Sequence, residues 1–307
     1  MDPMRRKALL KAAGIAALAT LNVPASAVPG GLIERVIPAS GERLPVIGVG
    51  TWQTFDVGTD PAARGTLREV LAAFARGGGR MIDSSPMYGS SETVTGDLAS
   101  EAGLGGKLFF ATKVWTEGTD AGIRQMELSY KRLRVSRMDL MQVHNLVDVA
   151  AHTKTLEDWK AKQRVRYIGI THYTASAYDE VERILKSGRY DFLQINYSLA
   201  ERESENRLLP LAVDRKAAVI INRPFAEGAM FRRVRGKPVP EWAAEFGATT
   251  WAQFFLKFAA SHPAVTVVTP ATSRGRHMLD NMTAAKGRLP DDAERTRMVA
   301  FIESLPS

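Results

Sequence analysis

The chain has 307 residues, 45% of them hydrophobic, and a formal net charge of +8. That length suits one α/β barrel of about 250 residues plus a short leading segment, and it calls for no second domain. The excess positive charge lies partly in the first 27 residues and is otherwise scattered, apart from Arg232, Arg233, Arg235 and Lys237, so the basic stripe with interleaved aromatics that nucleic-acid binding needs is absent. With no cysteine, disulfides, thiolate metal sites and a cysteine nucleophile are excluded.

Residues 1–27 read as an address rather than as part of the fold. Arg5, Arg6 and Lys7 open it, residues 12–21 are apolar, and Ala25-Ser26-Ala27 is a small-residue cleavage signal. A helix needs about 20 apolar residues to span a bilayer, so this run is too short for a stable anchor. The pair Arg5-Arg6 followed by Lys7 and Leu9 resembles the signal of the twin-arginine export route, with Ala8 where an aromatic is usual. The expectation is a signal peptide over 1–27, engagement with export machinery, a periplasmic destination, and one barrel domain over 28–307 acting as a monomer.

Two short apolar runs around Ser40-Gly41-Glu42 then predict a β-hairpin. After it, apolar β-branched runs recur at VIGVGTW, Arg80–Ser84, Leu108–Trp115, Met138–His144, Val165–His172, Phe192–Tyr197, Ala217–Pro224 and Val265–Thr269. Segments with helical periodicity separate them, among them 67–78, 123–134, 177–188 and 251–262, and a last helix is expected over Asp291–Leu305. Strands apolar on both faces want helical cover, and eight βα units close into a parallel (β/α)8 TIM barrel. An open doubly wound sheet is the competitor. It is disfavoured because Gly48-Val49-Gly50 runs on without a third glycine or a helix start.

Barrel enzymes carry their reacting groups at the C-terminal strand ends. Those ends hold Asp83, with Tyr88 in the following loop, then Lys113, then His144. A free phenol, with a pKa of about 10, is a poor acid at neutral pH, and a nearby ammonium favours its ionised form. Lys113 is therefore expected to lower the Tyr88 pKa, Asp83 to keep Lys113 charged, and His144 to hydrogen-bond a substrate oxygen. With no metal-ligand spacing and no nucleophile–base pair, the remaining task is to protonate an oxyanion while a cofactor delivers hydride. A Schiff-base role for Lys113 would need a neutral, unpaired amine, and Asp83 argues against it.

The ten residues from Asp83 to Glu92 (Asp-Ser-Ser-Pro-Met-Tyr-Gly-Ser-Ser-Glu), with ATKVW and MQVHN, resemble the active-site blocks of the aldo-keto reductases, in the same order, within a likeness running from about Leu44 to Asn281. The resemblance implies that Asp83, Tyr88, Lys113 and His144 form a catalytic tetrad with Tyr88 as general acid. It also implies reduction of a small-molecule carbonyl with NADPH, or with NADH as the second choice. Thr171, His172 and Gln194 match the residues that hold the nicotinamide carboxamide. Asp280 and Asn281 match those that bind adenosine, and Thr272, Ser273 and Arg274 lie along its phosphates. The family's Tyr-Ser-Pro-Leu stands here as Asn222-Arg223-Pro224-Phe225, so Phe225 is expected to replace the stacking aromatic and Arg223 to face the pyrophosphate. Arg274 or Arg276 is left as the clamp for a 2′-phosphate. Trp52, Met87, Trp115 and Phe231 are expected to wall an apolar substrate pocket. The competing reading is a nucleotide-binding barrel that acts as a sensor or subunit with little turnover.

Overall fold

The computed structural model describes residues 31–305; the expected signal peptide lies outside the described residues. The antiparallel hairpin, β1 (Glu34–Val36) and β2 (Arg43–Pro45), comes first. Eight parallel strands follow: β3 (Val49–Gly50), β4 (Met81–Asp83), β5 (Phe109–Val114), β6 (Met138–His144), β7 (Val165–Thr171), β8 (Phe192–Asn196), β9 (Ala218–Asn222) and β10 (Val265–Val268). They stand in sequence order, each hydrogen-bonded to the next. The sheet curls until its edges meet: the Gly48 N–H donates to the Val268 carbonyl at 2.9 Å, and the Gly50 N–H donates to the Pro270 carbonyl at 3.0 Å. This is the eight-stranded barrel that the alternating pattern predicts.

The first strand is shorter than VIGVGTW suggests, with a reason in its glycines. A Cβ on Gly48 would lie 2.9 Å from the Met81 carbonyl, and one on Gly50 would lie 3.0 Å from the Thr269 carbonyl. Side chains at these two positions would press on the carbonyls of the neighbouring strands, and the chain leaves the sheet after Gly50.

Helices cover the outside: α1 (Pro61–Arg76), α2 (Ser91–Glu101), α3 (Thr119–Leu133), α4 (Val149–Ala161), α5 (Tyr178–Leu185), α6 (Leu208–Asp214), α7 (Ala229–Arg233), α8 (Trp251–Ser261), α9 (Gly275–Thr283) and α10 (Asp292–Glu303). The start of α10 is set by a capping box, in which Asp291 accepts from the Glu294 N–H and Glu294 accepts from the Asp291 N–H. Among the described residues, no helix is long and apolar enough to cross a membrane.

Side chains alternate in and out along each strand. The outward set, with Ile82, Phe110, Val143, Ile170 and Leu193, joins the helices in one large core. The inward set forms a second core, with Met81, Phe109, Leu140, Tyr167, Phe192, Ile220 and Val267 in the barrel and Ile37 and Leu44 of the hairpin beneath. The hairpin thus plugs the floor. Its turn is tied down by Glu42, which pairs with Arg166 and with Arg80, and by Ser40, which accepts from the Tyr167 hydroxyl at 2.6 Å. Above this apolar floor the same inward positions become polar. Asp83 follows Met81, Lys113 follows Ala111, Gln142 and His144 follow Leu140, and Gln194 follows Phe192. That switch halfway up the barrel defines the site.

Candidate active site

Parallel register sets the polar layer side by side. Asp83 pairs with Ala111 on β5, Lys113 with Gln142 on β6, and His144 with Thr171 on β7. Lys113 is almost wholly buried, and its Nζ donates to both carboxylate oxygens of Asp83 at 2.9 and 2.8 Å and to the Ser84 carbonyl at 2.6 Å. Burial alone would lower the pKa of this ammonium. Asp83 and Tyr88 together outweigh that effect and hold the Lys113 pKa above its ordinary value. A charged, triply bonded amine has no free lone pair, so Lys113 is not set up as a Schiff-base nucleophile.

Asp83 has further support. Gln194 donates to its Oδ2 at 2.9 Å, and Gln142 lies between the two, 3.5 Å from Asp83 Oδ1 and 3.4 Å from Gln194 Oε1. Gly169 makes room for this arrangement, since a Cβ there would sit 3.1 Å from Gln142 Cγ and 2.9 Å from the Phe192 carbonyl. Gln194 therefore has its amide turned to the carboxylate beneath the mouth, where it braces Asp83.

Tyr88 lies over this pair, with Lys113 Nζ 5.1 Å from its ring centroid. Its ring meets that of His144 edge to face, with centroids 5.7 Å apart. The expected lowering of the Tyr88 pKa needs correction. Burial pushes the phenol up, the Lys113 ammonium pulls it down, Asp83 pushes it up again, and the net direction is upward. Lys113 acts with the expected sign but does not win. The phenol thus stays protonated at neutral pH, and Lys113 is placed to stabilise the phenolate that remains after a proton is given away.

His144 is driven the other way. Burial, the Lys113 charge and His172 pull its pKa down to about 2, so it is a neutral imidazole at any physiological pH. Its Nδ1 lies 2.9 Å from Ser85 Oγ. A neutral imidazole that accepts at Nδ1 carries its proton on Nε2, and can donate there.

Three cavities meet at the mouth. One, of about 310 Å³, holds Tyr88, His144 and Thr171 and is walled by Trp52, Met87 and Tyr173. A second, of about 340 Å³, shares Trp52, Tyr88, Arg223 and Glu227 with it. The third, of about 390 Å³, joins the second through Phe225, Phe231 and Ala271 and ends at Thr272, Asp280 and Asn281. Trp115 stands at the rim, its ring centroid 6.5 Å from that of His144.

The remaining sequence-chosen residues distribute along this groove. Thr171 is buried at the end of β7, and His172 lies beside it, its ring stacked on Tyr173. Arg223 is tied back, donating to the Tyr173 carbonyl at 2.8 Å and pairing with Glu201 at 3.5 Å and Glu227 at 3.4 Å. Phe225 packs on Phe231 with centroids 4.8 Å apart. Ser273 and Arg274 are exposed just before α9. Asp280 is occupied by α8, accepting from Thr250 Oγ1 at 2.8 Å and Gln253 Nε2 at 2.6 Å, while Asn281 is buried next to it.

Several residues of the site escape the sequence reading. Gln142 carried a signal, since a glutamine two residues before His144 in an apolar strand shares its inward face. Ser85 and Tyr173 gave none, because loop conformation decides where they point. Asn222 donates from Nδ2 to the His172 carbonyl at 3.1 Å and keeps a buried Oδ1 with no partner among the described residues. Such an orphaned acceptor at the mouth suits a ligand N–H, such as a carboxamide. Arg223, Ala226 and Glu227 adopt left-handed φ of 51°, 46° and 52°. That cluster of non-glycine residues stores strain in the loop that floors the groove.

The barrel mouth thus brings an acid, a charged amine and a neutral imidazole together at one end of an elongated groove. The sequence matches the model of the aldo/keto reductase family over residues 46–298, and the chain belongs to that family as an NAD(P)H-dependent oxidoreductase. The methylglyoxal reductase YeaE of Escherichia coli K12 is 27% identical over 249 residues, which cover 78% of this chain and 86% of the relative. The NADH-specific methylglyoxal reductase of the same organism is 25% identical over 229 residues, covering 64% of this chain and 68% of the relative. Among solved structures, an aldo-keto reductase from Klebsiella pneumoniae in complex with NADPH superposes with a TM-score of 0.76 at 24% identity, over 89% of this chain and 95% of that one. This last likeness concerns the fold.

Proposed function

We propose that the protein reduces an aldehyde or ketone to an alcohol, with Tyr88 as the proton donor and NADPH as the preferred cofactor. The observation that carries this reading is the Lys113 ammonium, clamped by Asp83 and lying 5.1 Å from the Tyr88 ring in the same mouth as a neutral His144.

The cofactor, when bound, supplies hydride to the carbonyl carbon. The groove suits such a dinucleotide: the free Oδ1 of Asn222 and the Thr171 hydroxyl accept or donate at the catalytic end, Phe225 and Phe231 line the middle, and Asn281 and Asp280 close the far end. Arg274, Arg276 and His277 cluster there, where burial first and then the two guanidinium groups depress the His277 pKa. Concentrated positive charge beside the adenosine end favours a 2′-phosphate, which is why NADPH is placed before NADH.

The chain's own residues do the rest. His144 donates from Nε2 to the carbonyl oxygen and sets its angle. As negative charge develops on that oxygen, the Tyr88 O–H passes its proton to it, forming the alcohol O–H and leaving a phenolate. Lys113, held charged by Asp83, stabilises that phenolate. The raised pKa of Tyr88 is compatible with this step, because the acceptor is an alkoxide, a much stronger base than a phenolate. Trp52, Met87 and Tyr173 wall the mouth beside the reacting carbon. The Escherichia coli relatives are named for methylglyoxal, and an activated aldehyde of that kind fits a cavity of about 310 Å³. The twin-arginine-type N-terminus adds a location to the proposal: the folded chain is exported and works in the periplasm.

The test is aldehyde-dependent oxidation of NADPH by the purified full chain, with the alcohol product measured alongside, and cell fractionation to locate the activity. One alcohol per NADPH consumed is expected. Tight NADPH binding with no turnover on a panel of activated aldehydes and ketones would instead mark a sensor, and a cytoplasmic location with an uncleaved N-terminus would remove the export part.

A further inference from the structure

Ser85, two residues beyond Asp83, is fully buried and takes no direct part in the proton transfer. Its Oγ receives the Met87 N–H at 3.2 Å and lies 2.9 Å from His144 Nδ1. A serine hydroxyl has one proton to donate. Among the described residues, His144 Nδ1 is the one acceptor within hydrogen-bonding distance of Oγ, so any other direction for that O–H would bury an unpaired donor, which is costly. The donor is therefore Ser85 and the acceptor is Nδ1. The Ser85 carbonyl also accepts the Tyr88 N–H at 3.0 Å. One residue thus holds the backbone turn that presents the phenol and the ring that faces it.

We propose that Ser85 is a positioning residue that locks His144 in the tautomer protonated at Nε2, so that the imidazole can only donate toward the carbonyl oxygen. This rests on the proposed reduction, since the locked proton matters only if an oxygen is to be polarised there. Without the lock, Nδ1 is a buried acceptor lacking a donor, and the ring can take the other tautomer or turn. In that tautomer Nε2 presents a lone pair to the substrate oxygen and repels it. The neutral state of His144 is consistent with the lock, because an imidazolium would carry protons on both nitrogens.

The experiment is 15N NMR of the imidazoles in the full chain, with His144→Gln used to assign the His144 signals, together with steady-state kinetics of Ser85→Ala and Ser85→Thr. The wild-type His144 is expected to show a bare Nδ1 and a protonated Nε2. Ser85→Ala should populate the second tautomer and lose about tenfold in kcat/KM with unchanged NADPH affinity. Ser85→Thr, which keeps the hydroxyl, should retain both the tautomer and the rate. A wild-type His144 protonated at Nδ1 overturns the proposal, and so does a Ser85→Ala variant with unaltered kcat/KM. If the wild-type protein fails to reduce any carbonyl, the functional reading falls, while the imidazole spectrum still decides whether Ser85 sets the tautomer.

Discussion

Tyr88→Phe is expected to lower turnover by about 10³-fold while NADPH binds with nearly unchanged affinity. The magnitude is that of a well-placed general acid. The substitution removes only the hydroxyl, so the ring keeps its edge-to-face contact with His144 and its place above Lys113. The measurement is paired: cofactor titration by calorimetry, and carbonyl reduction at saturating cofactor. Loss of both would mean that the substitution disturbed the groove. Loss of neither would mean that another group delivers the proton.

The second large effect concerns the pair beneath. Lys113→Met should abolish turnover and also destabilise the fold by about 3 kcal/mol, because it leaves the Asp83 carboxylate buried without its counter-ion. Both partners are almost fully shielded from water, so solvent screening offers little relief. Folding raises the Lys113 pKa above 10.5, so the stabilisation is intact at neutral pH and is lost only as pH rises through that higher value. The double variant Asp83→Asn with Lys113→Met should recover much of the stability and none of the activity. Denaturant melts of the three proteins check this. Equal stability of single and double variants would show that Asp83 is not the group Lys113 compensates.

The barrel was legible because its strands are apolar on both faces and its connecting helices repeat at nearly even spacing. The helices α2 and α4 were not singled out, since their buried faces carry Ser91, Glu92 and Thr95 in one and His152, Thr153 and Thr155 in the other. Buried polar residues of that kind hide the apolar stripe that periodicity detects. In Glu92 the reason is visible: it accepts from Thr112 Oγ1 at 2.6 Å and pairs with Arg132, a tertiary fit with no local signature.

The convergence of Asp83, Lys113 and His144 was readable because strand ends in a parallel barrel share one rim. Tyr88 could be placed near them by its distance in the chain. The balance of forces on it was not readable, since it depends on how far burial outweighs a neighbouring charge. The same holds for Gln194, whose amide direction follows from the space that Gly169 leaves for Gln142. Asn222 also required coordinates, because an orphaned acceptor is recognised only when every neighbour is known.

The most direct test of which group supplies the proton is the pH profile of kcat/KM for carbonyl reduction. Tyr88 is held protonated above its ordinary range, and His144 is held neutral with a pKa of about 2. The rate should therefore be level from about pH 5 to 9 and fall only on the alkaline side, above about pH 10, as the phenol ionises. A rate that instead climbs as pH drops through about 6.5 would identify an imidazolium acid, and Tyr88 would lose its role.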